Sequence, residues 1–391
     1  MRDLVVAGGG PVGLATALYA ARAGLDVEVR EPRRGVIDKA CGEGLMPAAV
    51  SDLLELGVRL DGLPIDGIRY VDDRHQVDAE FRGGPGRGVR RTVLHRSLLA
   101  AALEAGVTTT QGAVKEVLDT GDHVLVDGEP VGHLIAADGL HSPVRRMLGL
   151  DAPAPAVRRY GLRTHVATAP WSSFVEVHWS EAGEAYVTPV AAGLVGVAVL
   201  TRLRGPLPDL LATFPRLAPH LAGQHLSRPR GAGPLRQRST ARVRGRVLLV
   251  GDAAGYVDAL TGEGIALGLA QARAAVAAVT SANLAAYERA WRRATRRHDL
   301  MTRGLLVATR HPALRSRVVP AAARLPHVFS AAVNQLARPA RTPRPRRSWS
   351  CCWTRTAGPS APPPSAPCTT RTPRCTWRSP ATCSTSGARC S

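Results

Sequence analysis

The stretch Leu4-Val5-Val6-Ala7-Gly8-Gly9-Gly10-Pro11-Val12-Gly13 decides the fold. A short apolar run meets three glycines and then a helical pattern over 11–23, which Gly24 ends. Residues 25–30 alternate as a second strand that closes at Glu31. The order is strand, loop, helix, strand, with G-x-G-x-x-G in the loop. In such a loop the first glycine, Gly8, takes the tight turn. The second, Gly10, lets backbone approach a pyrophosphate, and the third, Gly13, lets the helix pack on the sheet. The helix N-terminus at Pro11 and Val12 offers free N–H groups to phosphate. Glu31, 18 residues beyond Gly13, stands where it can accept hydrogen bonds from a ribose. The pattern predicts a Rossmann-like α/β domain that holds a dinucleotide.

Outward from this unit, the chain predicts a helix over 47–56, short strands over 67–71 and 75–81, a helix over 91–105 and a buried strand over 134–137 ending at Asp138. These read as the first part of a mostly parallel sheet. Over 160–200 three closely spaced strands, 160–167, 173–179 and 185–200, the last broken at Pro189 and Gly193, indicate an antiparallel, substrate-covering layer. Residues 205–235 carry no clear pattern. A buried strand returns over 246–250, followed by Gly251-Asp252, a long helix over 262–279 and arginine-bearing helices to 337. The domain expectation is therefore 1–155 for the first part of the dinucleotide-binding domain, with a substrate-side insertion near 40–90. Residues 156–235 form an inserted antiparallel sheet, 236–300 the second part of the binding domain, and 301–337 the C-terminal helices.

The net charge of +20 suggests a nucleic-acid binder until its position is read. From Leu300 to Ser391 there are fifteen arginines and no acidic residue, so residues 1–299 carry 20 − 15 = +5. The non-enzyme reading, a basic nucleic-acid-binding protein, is disfavoured because the basic excess lies outside the motif-bearing body. Residues 338–391 contain no Leu, Ile, Val or Met. They are expected to be a disordered tail, either a basic tail for nucleic acid or membrane or out-of-frame translation. Six of the seven cysteines sit there, leaving Cys41 alone in the body and pointing to a reducing compartment. With no room for a leader before Leu4, the expectation is a cytoplasmic protein. Five arginines interleaved with apolar residues over 301–324 admit weak contact with a membrane surface.

Two further blocks complete the pattern: Asp138-Gly139-Leu140-His141-Ser142-Pro143-Val144-Arg145, directly after a strand, and Gly251-Asp252-Ala253-Ala254-Gly255 with Leu260-Thr261-Gly262-Glu263-Gly264-Ile265 before the long helix. Asp252 can accept from a ribityl hydroxyl, and the small residues around Gly262, Gly264 and Ile265 let backbone reach a flavin ring. In this order the three blocks resemble those of the p-hydroxybenzoate hydroxylase and geranylgeranyl reductase superfamily, over about residues 1–335. The resemblance implies FAD as cofactor, with NAD(P)H as a transient co-substrate. It also implies that Glu31 binds the adenosine ribose, Arg91 the phosphates, Asp138 the shared cofactor region and Asp252 the ribityl chain. Gly255 and the Leu-Thr-Gly-Glu-Gly-Ile run look like the prenyl reductase side. The block from Lys39 to Pro47 is similar to loops of prenyl reductases and of actinobacterial monooxygenases of secondary metabolism. Val175-Glu176-Val177-His178-Trp179 and Glu184-Ala185-Tyr186-Val187-Thr188-Pro189 resemble the second group.

The first expectation is therefore an FAD-dependent monooxygenase that hydroxylates an electron-rich aromatic, a polyketide phenol or phenolic lipid, with NAD(P)H and oxygen. The alternative is an FAD-dependent reductase of a geranylgeranyl-type chain. Candidate active-site residues are Cys41, as a redox or substrate-side group or a small buried hydrophobe, and Glu43, as a proton-handling group or a turn acid. His178 and Tyr186 lie on strands of the covering sheet, where alternate side chains face away. His95 and His141 read as structural, and no metal-ligand cluster is present.

Overall fold

The computed structural model describes residues 1–153 and 158–338. From residue 339 onward, the expected basic tail lies outside the described residues. The first strand, Arg2–Ala7, is buried along Leu4, Val5 and Val6 because it pairs in parallel on both edges. On one side lies Glu129–Ala136 and on the other Val27–Glu31. Val247–Leu249 and Thr108–Gln111 extend the parallel core outward. Three short antiparallel strands, Val243–Arg244, Val124–Val126 and Val117–Asp119, complete an eight-stranded sheet. Strands covered on both faces need continuous apolar runs, and that is what Leu4–Ala7, Leu134–Ala136 and Val247–Leu249 supply. Helices Pro11–Arg22 and Gly264–Thr280 pack against each other beside this sheet.

The second sheet has seven strands, ordered Arg230–Ala232, Tyr160–Val166, Leu194–Thr201, Gly183–Ala191, Phe174–Ser180, Gly67–Val71 and Gln76–Glu80. It corrects the sequence reading in two places. The run over 185–200 is two strands, turning at Ala192–Gly193. The strands Gly67–Val71 and Gln76–Glu80 do not join the mostly parallel sheet. Gly67–Val71 pairs in parallel with Phe174–Ser180, so a segment from early in the chain widens the covering layer. Pairing at that sequence distance leaves no local signal. The unplaced region 205–235 supplies helices Leu207–Ala212 and Ala218–Leu221 and the edge strand Arg230–Ala232.

After the long helix come Ala285–Arg310, Pro312–Arg315, Val318–Arg324 and Pro326–Ala337. The last two lie on the end of the second sheet, where Phe329 and Val333 pack with Val77 and Ala79. Burying a side chain such as Phe329 is worth about 1.5–3 kcal/mol. Among the described residues no helix is long and apolar enough to cross a membrane.

Candidate active site

The glycine turn has the geometry its sequence requires. Gly8 sits at φ +103, and a Cβ there would lie 2.6 Å from the Ala137 carbonyl oxygen, on the neighbouring parallel strand. A Cβ at Gly13 would overlap the Gly8 carbonyl oxygen, so helix and turn meet only through glycine. A Cβ at Gly10 would meet nothing within 4 Å, and Gly10, Pro11 and Val12 form part of a cavity wall. Glu31 Oε2 accepts from the Gly9 N–H at 2.8 Å, and Arg33 donates to the same carboxylate. Burial would raise this carboxyl, but the hydrogen bonds from Arg33 and Gly9 outweigh it and hold it below its ordinary value. His95 is structural in its bonding. Ile37 N–H donates to its Nδ1, so Nε2–H donates to the Gly9 carbonyl and steadies the turn.

Across the cavity, the Asp138 block and the Gly251-Asp252 turn are tied together by Arg145. This arginine is buried and donates to the carbonyls of Leu140 and Ala253 and to Asp151. Ser142 caps the short helix that carries it, accepting from Arg145 N–H at 2.9 Å. The Asp138 carboxylate uses Oδ2 on Val144 N–H, while its buried Oδ1 has no partner among the described residues. Burial raises its carboxyl above the ordinary value. The Asp252 side chain lines the cavity without a hydrogen-bond partner among the described residues. Its carboxyl is raised by burial and eased by the charges of Lys39, Arg91 and Arg145. Gly251, Gly262, Gly264 and Ile265 lie on the same wall.

The cavity measures about 870 Å³ and runs from the glycine turn to the C-terminal helices. Arg91 lines it with Nε and Nη1 buried and unpartnered among the described residues. Cys41 and Glu43 lie on the intervening loop, where Cys41 Sγ accepts from the Glu43 N–H at 3.4 Å. Glu43 has φ +59, a conformation that costs a side-chain-bearing residue about 1–3 kcal/mol and concentrates at functional sites. Its carboxylate accepts from Arg91 N–H at 2.8 Å and meets His165 Nε2 at 2.7 Å. Arg163 donates to His165 Nδ1, which leaves the His165 proton on Nε2, directed at Glu43. Arg163 in turn pairs with Asp38.

Tyr186 is on the cavity wall and donates its hydroxyl to the Leu260 carbonyl at 2.7 Å. His178 is not on the wall. Val175 and Val177 face inward, so the strand's alternation turns His178 to the other face, where it pairs with Glu176 at 3.0 Å. That removes it as a base for a ligand in this cavity. His141 lies at the cavity margin and bonds the Gly233 carbonyl.

Sequence reasoning passed over Lys39, whose ammonium is lowered by burial and by Arg33. It also passed over His165, Tyr256, and a buried cluster in which Arg159 pairs with Glu184 and Asp258. The signal for the last was slight: Arg159 directly precedes one strand of the covering sheet and Glu184 is an acid within another.

The open space at Gly10, the unpartnered guanidinium atoms of Arg91 and the free carboxylate of Asp252, all on the cavity wall, fit a group with a diphosphate and a polyhydroxyl chain. A family model described as FAD binding domain matches residues 1–189. A menaquinone reductase from Mycolicibacterium smegmatis is 32% identical over 79% of this chain and 83% of its own length. The chain belongs to the FAD-binding hydroxylase and geranylgeranyl reductase superfamily.

This flavoprotein is also 30% identical, over 67% of its own length and 76% of the relative's, to digeranylgeranylglycerophospholipid reductase 1 of Methanopyrus kandleri. Its fold is shared with a flavoprotein/dehydrogenase from Cytophaga hutchinsonii, at a TM-score of 0.71 and 17% identity over 85% of this chain and 93% of that one. It is an FAD-dependent oxidoreductase by family.

Proposed function

We propose that this flavoprotein reduces a carbon–carbon double bond in the isoprenoid chain of a lipophilic substrate, such as a prenylated quinone or lipid. One observation carries the reading. Among the described residues, the wall contributed by the second sheet and the C-terminal helices bears no charged side chain, and its polar heads are Tyr70 and Tyr186. An aliphatic chain needs such a wall; a phenol awaiting deprotonation needs a base on it. Burial pushes both tyrosines well above their ordinary value, and Tyr186 is already committed to Leu260. We therefore reverse the order of the two chemistries expected from the sequence, and the likeness to reductases over 79% and 67% of this chain supports the change.

In this reading Arg91 and the helix start at Pro11 neutralise the cofactor diphosphate, Glu31 binds the adenosine ribose, Asp252 accepts from hydroxyls of the cofactor, and Asp138, behind the wall, supports the shared cofactor region by holding the Val144 turn. When bound and reduced, FAD would supply a hydride equivalent to one carbon of the double bond, and the proton for the other carbon would come from the protic side chains of the Cys41–Glu43 loop on the cavity wall. Phe329, Val333 and Leu336 hold the chain and exclude water. Glu43, oriented by His165, and Cys41 set the shape of the loop between cofactor and chain. NAD(P)H is the reductant we assign.

Anaerobic incubation of reduced enzyme with a geranylgeranyl lipid or a prenylated quinone, read by mass spectrometry, tests the proposal. The expected product is heavier by two hydrogens. An oxygen-dependent phenol product carrying one atom from labelled oxygen gas, with no hydrogenation, overturns it in favour of the hydroxylase.

A further inference from the structure

The cavity has an identifiable mouth. Leu325 and Val328 are on its wall and yet remain 49% and 52% exposed, so the wall and the protein surface meet at these two side chains. They flank the turn where helix Val318–Arg324 passes to helix Pro326–Ala337, and every residue from Arg324 to Val328 is exposed. Leu314, on the preceding short helix, is a further exposed apolar side chain. Apolar residues at the open end of an apolar channel have no folding reason to stay uncovered.

Along the segment that carries them the charge is of one sign. From Leu300 to Arg338 there are six arginines and no acidic residue. Arg317 and Arg324 are both exposed on the segment that leads to the mouth. Helix Ala285–Arg310 shows the same mixture, with Leu300 and Val307 exposed beside Arg303 and Arg310. Apolar tips that can enter the acyl boundary, set among arginines that face phosphate, form the pattern of an interfacial surface.

We propose that the turn from Arg324 to Val328 docks on an anionic lipid bilayer and that the isoprenoid chain enters the cavity there directly from the membrane. The proposal rests on the reading of the substrate as lipophilic. It adds a surface, a partner and a direction of entry. Leu325 and Val328 then insert, while Arg317 and Arg324 pair with lipid phosphates. The charge complementarity of an acid-free arginine segment selects an anionic bilayer over a neutral one or an acidic-rimmed protein partner.

Hydrogen exchange on the FAD-loaded full chain, read by mass spectrometry with phosphatidylcholine vesicles containing or lacking phosphatidylglycerol, tests this without turnover. Anionic vesicles at low salt are expected to protect backbone amides over 314–330, with protection fading at high salt. Arg317→Gln with Arg324→Gln should weaken vesicle affinity by roughly thirtyfold at low salt, from loss of two surface charges. Leu325→Asp with Val328→Asp should abolish protection at the turn while the protein keeps its flavin. If anionic vesicles bind the chain but protect only other segments, or do not bind it, the proposal is overturned. Protection that grows with protein concentration in the absence of vesicles would identify a second copy as the occupant and also overturn it. Failure here with successful hydrogenation of a detergent-dispersed substrate leaves the reductase reading standing, and the converse result separates the two equally well.

Discussion

Replacing Gly10 separates folding from cofactor binding, because its neighbourhood differs so sharply from that of Gly13. Gly10 has φ −70 and ψ 175, ordinary values for any L-residue, and a Cβ there meets nothing within 4 Å. Gly10→Ala and Gly10→Val should therefore leave the stability of the flavin-free protein within about 0.5 kcal/mol of the parent. The added carbons enter the cavity at the wall that the diphosphate approaches. Overfilling a packed contact costs about 1–3 kcal/mol, which is roughly a fivefold to 150-fold loss of FAD affinity. Valine should lie at the upper end. Gly13→Ala is the control with the opposite signature, since its methyl overlaps the Gly8 carbonyl oxygen. It should destabilise the flavin-free protein itself by of order 3 kcal/mol. Thermal unfolding of the flavin-stripped proteins, paired with calorimetric titration by FAD, reads both quantities. If Gly10→Val binds FAD as tightly as the parent, or unfolds as readily as Gly13→Ala, the placement of the diphosphate at this turn is wrong.

Asp252→Asn is expected to stabilise the flavin-free protein at neutral pH by roughly 0.5–2 kcal/mol while weakening FAD. Its carboxyl is raised by burial, so above the ordinary carboxylate range the folded state keeps a proton that the unfolded chain has lost. Stability then falls as pH rises through that window, and the variant's advantage should vanish at acid pH; melting curves across pH that show the same gap throughout would count against this. Arg145→Met leaves the Leu140 and Ala253 carbonyls without their buried donor. Denaturant titration should show a loss of about 3–5 kcal/mol, and a loss below 1 kcal/mol would mean that this tie is dispensable. Tyr186→Phe removes one hydrogen bond, to Leu260, worth about 1 kcal/mol. Flavin content should be normal and the flavin reoxidation rate with substrate within about tenfold of the parent; a collapse of that rate by several orders of magnitude would make the hydroxyl a participant in the chemistry.

Local chemistry made part of this molecule readable in advance. The turn at Gly8 and Gly13 was legible because close backbone approach tolerates only glycine, and the parallel core because strands covered on both faces are apolar throughout. The Asp138 and Asp252 turns followed from their position at strand ends. What stayed hidden depends on contacts between distant residues. Gly67–Val71 alternates as any edge strand would, and nothing nearby announces a partner at Phe174–Ser180. His178 could be placed on a strand but not on a face, since a one-residue change of register would have turned it inward. His165 offered no signal at all until Glu43, 122 positions away, was found at hydrogen-bond distance. The apolar wall from Val318 to Leu336 reads in sequence as an ordinary amphipathic helix pair, and only its neighbours show that the inner face is left open.

The parallel pairing of Gly67–Val71 with Phe174–Ser180 also sets a timetable for synthesis. When the first hairpin, Gly67–Val71 with Gln76–Glu80, leaves the ribosome, its partner strand lies about a hundred residues ahead in the unmade chain. Val247–Leu249 closes the central sheet beside Glu129–Ala136 later still. Neither sheet can be finished from a contiguous piece, and loop closure over such distances is slow. The nascent chain therefore carries an open strand edge for most of its translation, the condition in which chaperone capture competes with aggregation. FAD, whose proposed contacts extend from Gly10 to Asp252, finds its full set of partners only after Val247–Leu249 has closed the central sheet.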